Sequence, residues 1–233
     1  MPTPRPAPFL PQRLDEIQAW FFDLDGTLMD TDDQAVDGLA QRLRILGPSR
    51  SQRSARRLVM LSETPMNWAM TLLDMVGLDS LVFAMRRRLS HNVTPTFRLI
   101  PGVRPLIERL ATLGQLAVVS TRSQHDAALF LAQHELAGHF ALSATQETTK
   151  RLKPHPEPVL YAAKHLGVPP SACVMVGDTT VDVRAARRAG AWAVGVLCGF
   201  GEERELWRAG AHMVLGSTAE LLDLVQDNSG ART

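Results

Sequence analysis

Strong net charge and long apolar runs are both missing from this sequence. Its 25 lysine and arginine residues balance 24 acidic residues, which leaves a formal charge of +1. A chain with so little net charge has no general field that attracts nucleic acid or an anionic membrane surface. No stretch reaches the roughly 18 consecutive apolar residues of a membrane-spanning helix. The sequence therefore predicts neither a nucleic-acid partner nor a membrane partner.

Cysteine is also scarce. Cys173 and Cys198 are the two cysteines, and each lies in an apolar stretch. We interpret both as small buried apolar residues rather than as a disulfide pair. This use of cysteine is typical of a reducing compartment, and we expect a cytoplasmic protein. Residues 1–18 are rich in proline without the apolar core of a secretion signal, so they are predicted to form a stiff tail.

From residue 19 onwards, short apolar runs of strand type alternate with longer stretches of helical type. Helical stretches between them end at glycines such as Gly114 and Gly167. This alternation predicts an α/β fold, a Rossmann-like parallel sheet with helices on both faces. We assign residues 19–30 and 98–225 to this core and residues 226–233 to a C-terminal tail. The predicted strands span residues 19–24, 115–120, 140–144, 172–176, 191–196 and 212–215.

Residues 31–97 interrupt the alternation, because they contain helical patterns and no convincing strand. A crossover between neighbouring strands does not need so many residues. Thr31 and Gln34 form a capping-box pattern, and Thr64 followed by Pro65 marks a second helix start. We interpret this interval as a small all-helical domain inserted into the core.

A pair of carboxylates follows the first predicted strand. Asp23 ends the apolar run, Asp25 lies two positions later, and Gly26 permits a sharp turn. Residues i and i+2 of an extended chain point the same way, so both carboxylates can face one pocket at the strand end. Such a pair can supply a nucleophile and a separate acid or base. The alternative is a strand followed by an ordinary aspartate-capped turn.

A second pair, Asp178 and Asp182, follows the strand at residues 172–176. A helix that starts at about Thr179 would place both carboxylates on the same side of its first turn. Carboxylate oxygens with open positions for water and phosphate suit Mg²⁺. Without a cation, four acids in one pocket would repel each other strongly. In isolation the pair fits a metal site no better than the alternative, in which Asp178 is a helix N-cap and Asp182 is a solvated surface acid.

Two weaker signals lie between the acidic pairs. At Ser120 and Thr121, after the second strand, a hydroxyl and a free backbone N–H can hold a phosphate oxygen. Lys153 can neutralise both a phosphate and the carboxylates. Taken singly, these residues are typical of a helix cap and a solvated loop lysine. Their order alongside the acidic pairs favours a shared site.

Together these elements resemble the haloacid dehalogenase-like hydrolase superfamily, and within it the phosphoglycolate phosphatase-like branch. The resemblance rests on DLDGT at residues 23–27, Ser120 after its strand, Lys153 in KPHPEP and GDTTVD at residues 177–182. It covers residues 19–225. It implies that the inserted helices form a cap that closes over the site.

The resemblance also implies roles for the four aspartates. Asp23 is implied as the nucleophile that forms an aspartyl-phosphate. Asp25 is implied as the acid for the leaving group and then as the base for the attacking water. Mg²⁺ is implied at Asp23, at the main-chain carbonyl of Asp25 and at Asp178, with Asp182 as a direct or indirect partner.

Phosphate binding is implied for Ser120, Thr121 and Lys153, and Lys153 is also implied as a catalytic residue. Close relatives often carry asparagine at the position of Thr121. The backbone contact of Thr121 to phosphate survives this difference, whereas a side-chain contact to substrate does not follow.

Several reactions share this architecture, so the site residues must decide among them. Asp25 favours phosphate esters over halide displacement, which needs no acid at that position. The phosphonate-cleaving branch needs a cap lysine, but the three lysines, Lys150, Lys153 and Lys164, all lie outside residues 31–97. The sequence therefore predicts Mg²⁺-dependent hydrolysis of a small phosphorylated metabolite, such as phosphoglycolate or a sugar phosphate. The alternatives are a β-phosphoglucomutase-like mutase and a catalytically idle binding protein on the same fold.

Overall fold

The computed structural model describes residues 14–30 and 96–230, and all of these except Thr96 belong to one compact unit. The predicted cap up to residue 95, the first 13 residues and the last three residues lie outside the described residues. Leu14–Glu16 form one 3-10 turn, and Ile17 is buried in the core. None of the helices in the two described ranges has the length and hydrophobicity of a transmembrane span.

Six parallel strands form one sheet in the order β3–β2–β1–β4–β5–β6. The register places Phe22 of β1 between Val118 of β2 and Val176 of β4. All six predicted strands are present, with boundaries that differ from the prediction by at most two residues. The strands are β1 (Ala19–Phe22), β2 (Gln115–Val119), β3 (Phe140–Ala144), β4 (Cys173–Gly177), β5 (Trp192–Val196) and β6 (Met213–Leu215).

Helices cover both faces of this sheet. Helices α1, α2 and α6 bury side chains with Trp20 and Phe22 on one face, whereas α3, α4 and α5 pack with Ala19 and Phe21 on the other. Alternate residues of one strand point to opposite faces, so the continuous apolar run of β1 is buried on both sides. The predicted α/β class is confirmed. The helices are α1 (Val103–Ala111), α2 (Gln124–Gln133), α3 (Glu157–Leu166), α4 (Thr180–Ala189), α5 (Glu203–Ala209) and α6 (Leu221–Gly230).

The strand order creates a crevice between β1 and β4. From β1 the chain runs outward to β2 and β3, then returns to β4 on the other side of β1 and continues to β5 and β6. Connections that leave two neighbouring strands in opposite directions open a crevice at the carboxyl ends of those strands. Open α/β sheets bind their ligands at this point.

The two predicted helix-ending glycines behave differently. Gly167 caps α3 in the left-handed conformation, with φ of 68°. Helix α1 instead ends at Ala111, three residues before Gly114. A Cβ atom at Gly114 would lie 2.6 Å from the carbonyl oxygen of Gln18, so this glycine permits a close approach of two chain segments.

Both cysteines are free thiols, as predicted. Cys173 is buried and Cys198 is partly buried. Burial raises the pKa of the Cys173 thiol to about 12, so this thiol stays protonated and unreactive at neutral pH.

Candidate active site

Asp23 and Asp178 lie side by side at the crevice. Asp23 directly follows β1, and its backbone N–H donates to the carbonyl oxygen of Val176 at 3.0 Å. Asp178 directly follows β4. Because β1 and β4 are paired and parallel, both carboxylates emerge at the same edge of the sheet.

Asp182 joins them from the first turn of α4. Its Oδ2 accepts hydrogen bonds from the backbone N–H of Thr179 at 3.1 Å and from the Thr179 hydroxyl at 2.5 Å. One carboxylate oxygen from each of Asp23, Asp178 and Asp182 lies within 4.8 Å of the others. The three residues are only 8%, 1% and 1% exposed. They form a buried acidic cluster.

Lys153 brings a buried positive charge to this cluster. Its Nζ donates to Oδ1 of Asp182 at 2.6 Å and to the carbonyl oxygen of Val119 at 2.8 Å. Nζ also forms an ion pair with Oδ1 of Asp23 at 2.9 Å. Burial lowers the pKa of Lys153, but the charges of Asp182 and Asp23 raise it by more. The lysine therefore stays protonated.

One ammonium group does not balance three carboxylates. Burial raises the pKa of Asp23 to about 7, although Lys153 acts in the opposite direction. Burial, followed by the charges of Asp182 and Asp23, raises the pKa of Asp178 well above its usual range. Each of these shifts reflects the cost of negative charge in a dry pocket with too little positive charge. Additional positive charge would stabilise the ionised cluster.

The Asp178 carboxylate has one oxygen available for a cation. Its Oδ2 accepts the backbone N–H of Phe200 at 2.8 Å, whereas the buried Oδ1 has no hydrogen-bond partner within the two described ranges. A buried polar atom without a partner is costly in free energy. Hard divalent cations prefer oxygen ligands of this kind. The residues present therefore fit a divalent cation.

Asp25 contacts a different partner, Arg122, which follows β2. Nε of Arg122 donates to Oδ2 of Asp25 at 2.8 Å, and Nη2 donates to Oδ1 at 2.6 Å. The guanidinium also lies 5.3 Å from the ring centroid of Phe97. Burial lowers the pKa of Arg122, but the contact with Asp25 raises it by more. Both oxygens of Asp25 are thus engaged in this conformation.

Ser120 and Thr121 lie at the end of β2, beside the cluster. Ser120 is buried, and its Oγ accepts the backbone N–H of Arg122 at 3.2 Å. Thr121 is exposed. Val119, the residue before them, accepts a hydrogen bond from Lys153, which ties this strand end to the acidic cluster.

The geometry gathers part of the predicted site into one cluster. Asp25 lies against Arg122, and Ser120 and Thr121 occupy the neighbouring strand end. Sequence reasoning missed Arg122, for which the available signal was a basic residue two positions after Ser120. It also missed Phe200, which acts through its backbone N–H, a group that the residue type does not reveal. The clustered residues are Asp23, Lys153, Asp178 and Asp182.

Known proteins resemble this chain in sequence and in fold. Residues 20–196 match the family described as haloacid dehalogenase-like hydrolase. The matched range contains the whole acidic cluster together with Lys153. The chain belongs to the haloacid dehalogenase-like hydrolase family, as the motif resemblance predicted.

Curated relatives within the family are phosphatases. The chain is 32% identical over 201 residues to phosphoglycolate phosphatase of Xanthomonas campestris pv. campestris, a match that covers 82% of the chain and 90% of the relative. It is 31% identical over 226 residues to phosphoglycolate phosphatase of Chromobacterium violaceum, covering 92% of the chain and 99% of the relative. The chain is therefore a hydrolase of the phosphatase type, which confirms the predicted enzyme class.

Solved structures share the fold at lower identity. A predicted phosphoglycolate phosphatase from Haemophilus somnus matches with a TM-score of 0.64 and 23% identity, covering 91% of this chain and 99% of that one. A proposed beta-phosphoglucomutase from Thermotoga maritima matches with a TM-score of 0.61 and 23% identity, over the same shares. Since hydrolase and mutase descriptions both occur on this fold, these likenesses establish the architecture alone.

Proposed function

We propose that the chain is a Mg²⁺-dependent phosphatase that hydrolyses a small phosphomonoester of the phosphoglycolate type through an aspartyl-phosphate on Asp23. One observation carries this proposal. The buried carboxylate of Asp23 pairs with the Lys153 ammonium at 2.9 Å and lies in one cluster with the carboxylates of Asp178 and Asp182 at the crevice. This arrangement offers a nucleophile, a counter-charge and cation ligands around one point. The phosphoglycolate phosphatases among its relatives support the substrate class.

Asp23 and Asp178 would hold the Mg²⁺, with the main-chain carbonyl of Asp25 as a further ligand. When bound, the ion neutralises the carboxylates and the phosphate oxygens. Both oxygens of Asp182 already accept hydrogen bonds, from Lys153 and from Thr179. We therefore assign Asp182 to positioning Lys153 and the start of α4 rather than to direct contact with the ion.

In the first half-reaction, a carboxylate oxygen of Asp23 attacks phosphorus, and the bond between phosphorus and the leaving oxygen breaks. The leaving oxygen keeps the electron pair and takes a proton from Asp25. Lys153, the Ser120 hydroxyl and the Thr121 backbone N–H bind the other phosphate oxygens. Because Arg122 holds both oxygens of Asp25, Asp25 must give up at least one of those contacts to reach the leaving group.

In the second half-reaction, water attacks the phosphorus of the aspartyl-phosphate. Asp25, now a carboxylate, takes a proton from that water. The bond between phosphorus and the Asp23 oxygen breaks, which restores the Asp23 carboxylate and releases inorganic phosphate. Burial of Asp23 keeps bulk water away during the first half-reaction.

A substrate panel in Mg²⁺ tests this function. The panel contains phosphoglycolate, sugar phosphates, nucleotides and pyrophosphate, and released phosphate is measured. We expect hydrolysis of small phosphomonoesters, with phosphoglycolate among the best substrates. Glucose 1-phosphate is followed separately for isomerisation, because isomerisation without phosphate release would identify a mutase. Absence of turnover across the whole panel would overturn the proposal.

The matched control for this panel is Asp23→Asn. An amide is a poor nucleophile, so phosphate release should fall by about 10³-fold or more. Circular dichroism checks that the variant keeps its fold. Near-normal turnover in Asp23→Asn would exclude the covalent route while leaving a phosphatase of another mechanism.

A further inference from the structure

Two glycines close around the Asp178 carboxylate from different loops. Gly26 lies in the turn after β1, and Gly199 lies in the loop after β5. A Cβ atom on Gly26 would lie 2.3 Å from Oδ2 of Asp178, and a Cβ atom on Gly199 would lie 2.1 Å from the same oxygen. Both distances are far shorter than a van der Waals contact. A side chain at either position would force the carboxylate or the loop to move.

The loop after β5 also contacts Asp178 through its backbone. The N–H of Phe200 donates to Oδ2 at 2.8 Å. A Cβ atom on Gly201 would lie 1.8 Å from the main-chain carbonyl oxygen of Asp178. Residues 199–201 thus pack directly on both the side chain and the main chain of Asp178.

This loop is anchored to the turn after β1. Sγ of Cys198 lies 3.4 Å from the carbonyl oxygen of Gly26 and 3.5 Å from Oγ1 of Thr218. The Thr218 hydroxyl donates to the carbonyl oxygen of Thr27 at 2.7 Å, in a fully buried position. Withdrawal of the loop from Asp178 would break the two contacts of Cys198, so these contacts help to hold the Phe200 N–H in position.

We propose that the loop at residues 198–201 selects which oxygen of Asp178 binds the divalent cation, with the main-chain N–H of Phe200 as the positioning group. This inference rests on the proposed cation site. By donating to Oδ2, the N–H fixes the rotation of the carboxylate and leaves Oδ1, which has no hydrogen-bond partner among the described residues, as the ligand atom. Gly199 and Gly201 provide the space that this backbone contact requires. Groups that orient a metal ligand in this way affect metal affinity strongly.

The substitution Gly199→Ala tests this role through Mg²⁺ affinity, measured by calorimetric titration of the metal-free enzyme. The added methyl group displaces Oδ2, so we expect Mg²⁺ binding to weaken by about 10- to 100-fold. Gly138→Ala is the matched control, because a Cβ atom at Gly138 meets nothing within 4 Å. This control should bind Mg²⁺ as the unsubstituted chain does. Unchanged affinity in Gly199→Ala would overturn the inference.

Asp178→Asn separates the failure of this inference from the failure of the cation site. We expect this variant to lose most of its Mg²⁺ affinity, because an amide oxygen carries no net charge. Equal affinity of Asp178→Asn and the unsubstituted chain would overturn the cation site itself, and the role of the loop with it. Loss in Asp178→Asn without loss in Gly199→Ala would overturn the role of the loop alone.

If Gly199→Ala does not fold, a measurement on the unsubstituted chain tests the role of the Phe200 N–H instead. The backbone N–H of Phe200 is followed by nuclear magnetic resonance during a Mg²⁺ titration, with the N–H of Gly138 as an internal reference. Charge placed on Oδ1 alters the hydrogen bond at Oδ2, so the Phe200 signal should shift while the Gly138 signal stays in place. An unchanged Phe200 signal at saturating Mg²⁺ would contradict the proposal.

Discussion

At the scale of single residues, Arg122 controls the position of both oxygens of Asp25. We predict that Arg122→Ala lowers kcat/KM by about tenfold or more, because Asp25 loses the partner that orients it before one contact is released to reach the leaving group. Arg122→Lys keeps the charge but cannot form two parallel hydrogen bonds, so it should recover only part of the loss. Steady-state kinetics on the best substrate of the panel measure both variants.

The control for Arg122 is Arg104→Ala. Arg104 on α1 also donates to an oxygen, the carbonyl of His134, but its ion pair is with Glu135 rather than with Asp25. This variant should keep the unsubstituted kcat/KM. Full activity in Arg122→Ala would show that the ion pair has no part in catalysis.

Lys153 links two carboxylates of the cluster, so its removal should affect both activity and stability. We predict that Lys153→Met lowers turnover by about 10²-fold or more, since phosphate and Asp23 both lose a counter-charge. In metal-free buffer the variant should also lose about 3–5 kcal/mol of unfolding free energy, because buried carboxylates are left unpaired. Chemical denaturation and phosphate release measure the two effects.

The comparison for this substitution is Lys164→Met on α3, where the lysine is exposed. This change should alter unfolding free energy by less than about 0.5 kcal/mol and leave turnover unchanged. A Lys153→Met enzyme that turns over within a few-fold of the unsubstituted rate would exclude Lys153 from the reaction.

The sequence predicted the acidic residues better than their partners, for physical reasons. Asp23 and Asp178 were predictable because each ends an apolar run, and parallel strand ends converge at one edge of a sheet. Arg122 was not, because it is one arginine among many and meets Asp25 only through the pairing of β1 with β2. Phe200 acts through its backbone, so its side-chain identity carries no signal.

At the scale of elements, strands were predictable and their ends were not. Each predicted strand is a short apolar run, and burial on both faces of the sheet explains that composition in β1, β2, β4 and β5. The edge strands β3 and β6 are only partly buried. Strand β1 nevertheless stops at Phe22 rather than at residue 24. The carbonyl oxygen of Leu24 accepts hydrogen bonds within the following turn, from the N–H groups of Thr27, Leu28 and Met29. The strand therefore ends where the hydrogen bonds of the turn replace those of the sheet, and a sequence pattern does not show where this change occurs.

A histidine that directly precedes β6 should respond to pH. Nδ1 of His212 accepts the backbone N–H of Ala193 at 2.9 Å. Burial, and then the charge of Arg187, lowers the pKa of His212 from 6.5 to about 4. His212 therefore takes up a proton at higher pH in the unfolded chain than in the folded chain. The stability that the neutral ring contributes is complete above pH 6.5 and is lost as the pH falls towards 4. Because the ring is half-exposed, we predict a loss of at most about 1 kcal/mol between pH 7 and pH 5.

Urea unfolding at the two pH values measures this loss, and His212→Asn isolates it. The asparagine oxygen can accept the same Ala193 N–H but does not titrate. The unfolding free energy of His212→Asn should therefore fall less between pH 7 and pH 5 than that of the unsubstituted chain. The same fall in both proteins would assign the pH dependence to other groups.

At the scale of the whole molecule, the proposed cation should stabilise the folded chain. A ligand present at 100 times its Kd contributes about 2.7 kcal/mol, which for a chain of this size raises Tm by roughly 5–10 °C. Thermal melts in EDTA and in Mg²⁺ measure this difference. Asp178→Asn should show no such difference, and its Tm in EDTA should equal or exceed that of the unsubstituted chain because one repelling charge is gone. An equal Tm in EDTA and in Mg²⁺ for the unsubstituted chain would contradict the proposed site.

The family and the enzyme class were predictable from the ordered motifs, because those motifs contain the groups that define the chemistry. The substrate was not, because those motifs supply groups for the phosphate and none that we could assign to the rest of the substrate. The helical cap at residues 31–97 stays a prediction, as do Mg²⁺ as the ion and the roles of the site residues.

The pairing of β1 with β4 has a consequence for the synthesis of the chain. Asp23 and Asp178 are neighbours across this pairing, although most of the sequence separates them. A chain that is still emerging from the ribosome already carries Asp23, the proposed nucleophile, but it lacks Asp178, the other proposed cation ligand, until β4 and the residue after it have been made. Contacts between such distant segments form late and slowly. We therefore expect the nascent chain to have no phosphatase activity. Metal binding and activity should arise together, only after β4, β5 and β6 have been added.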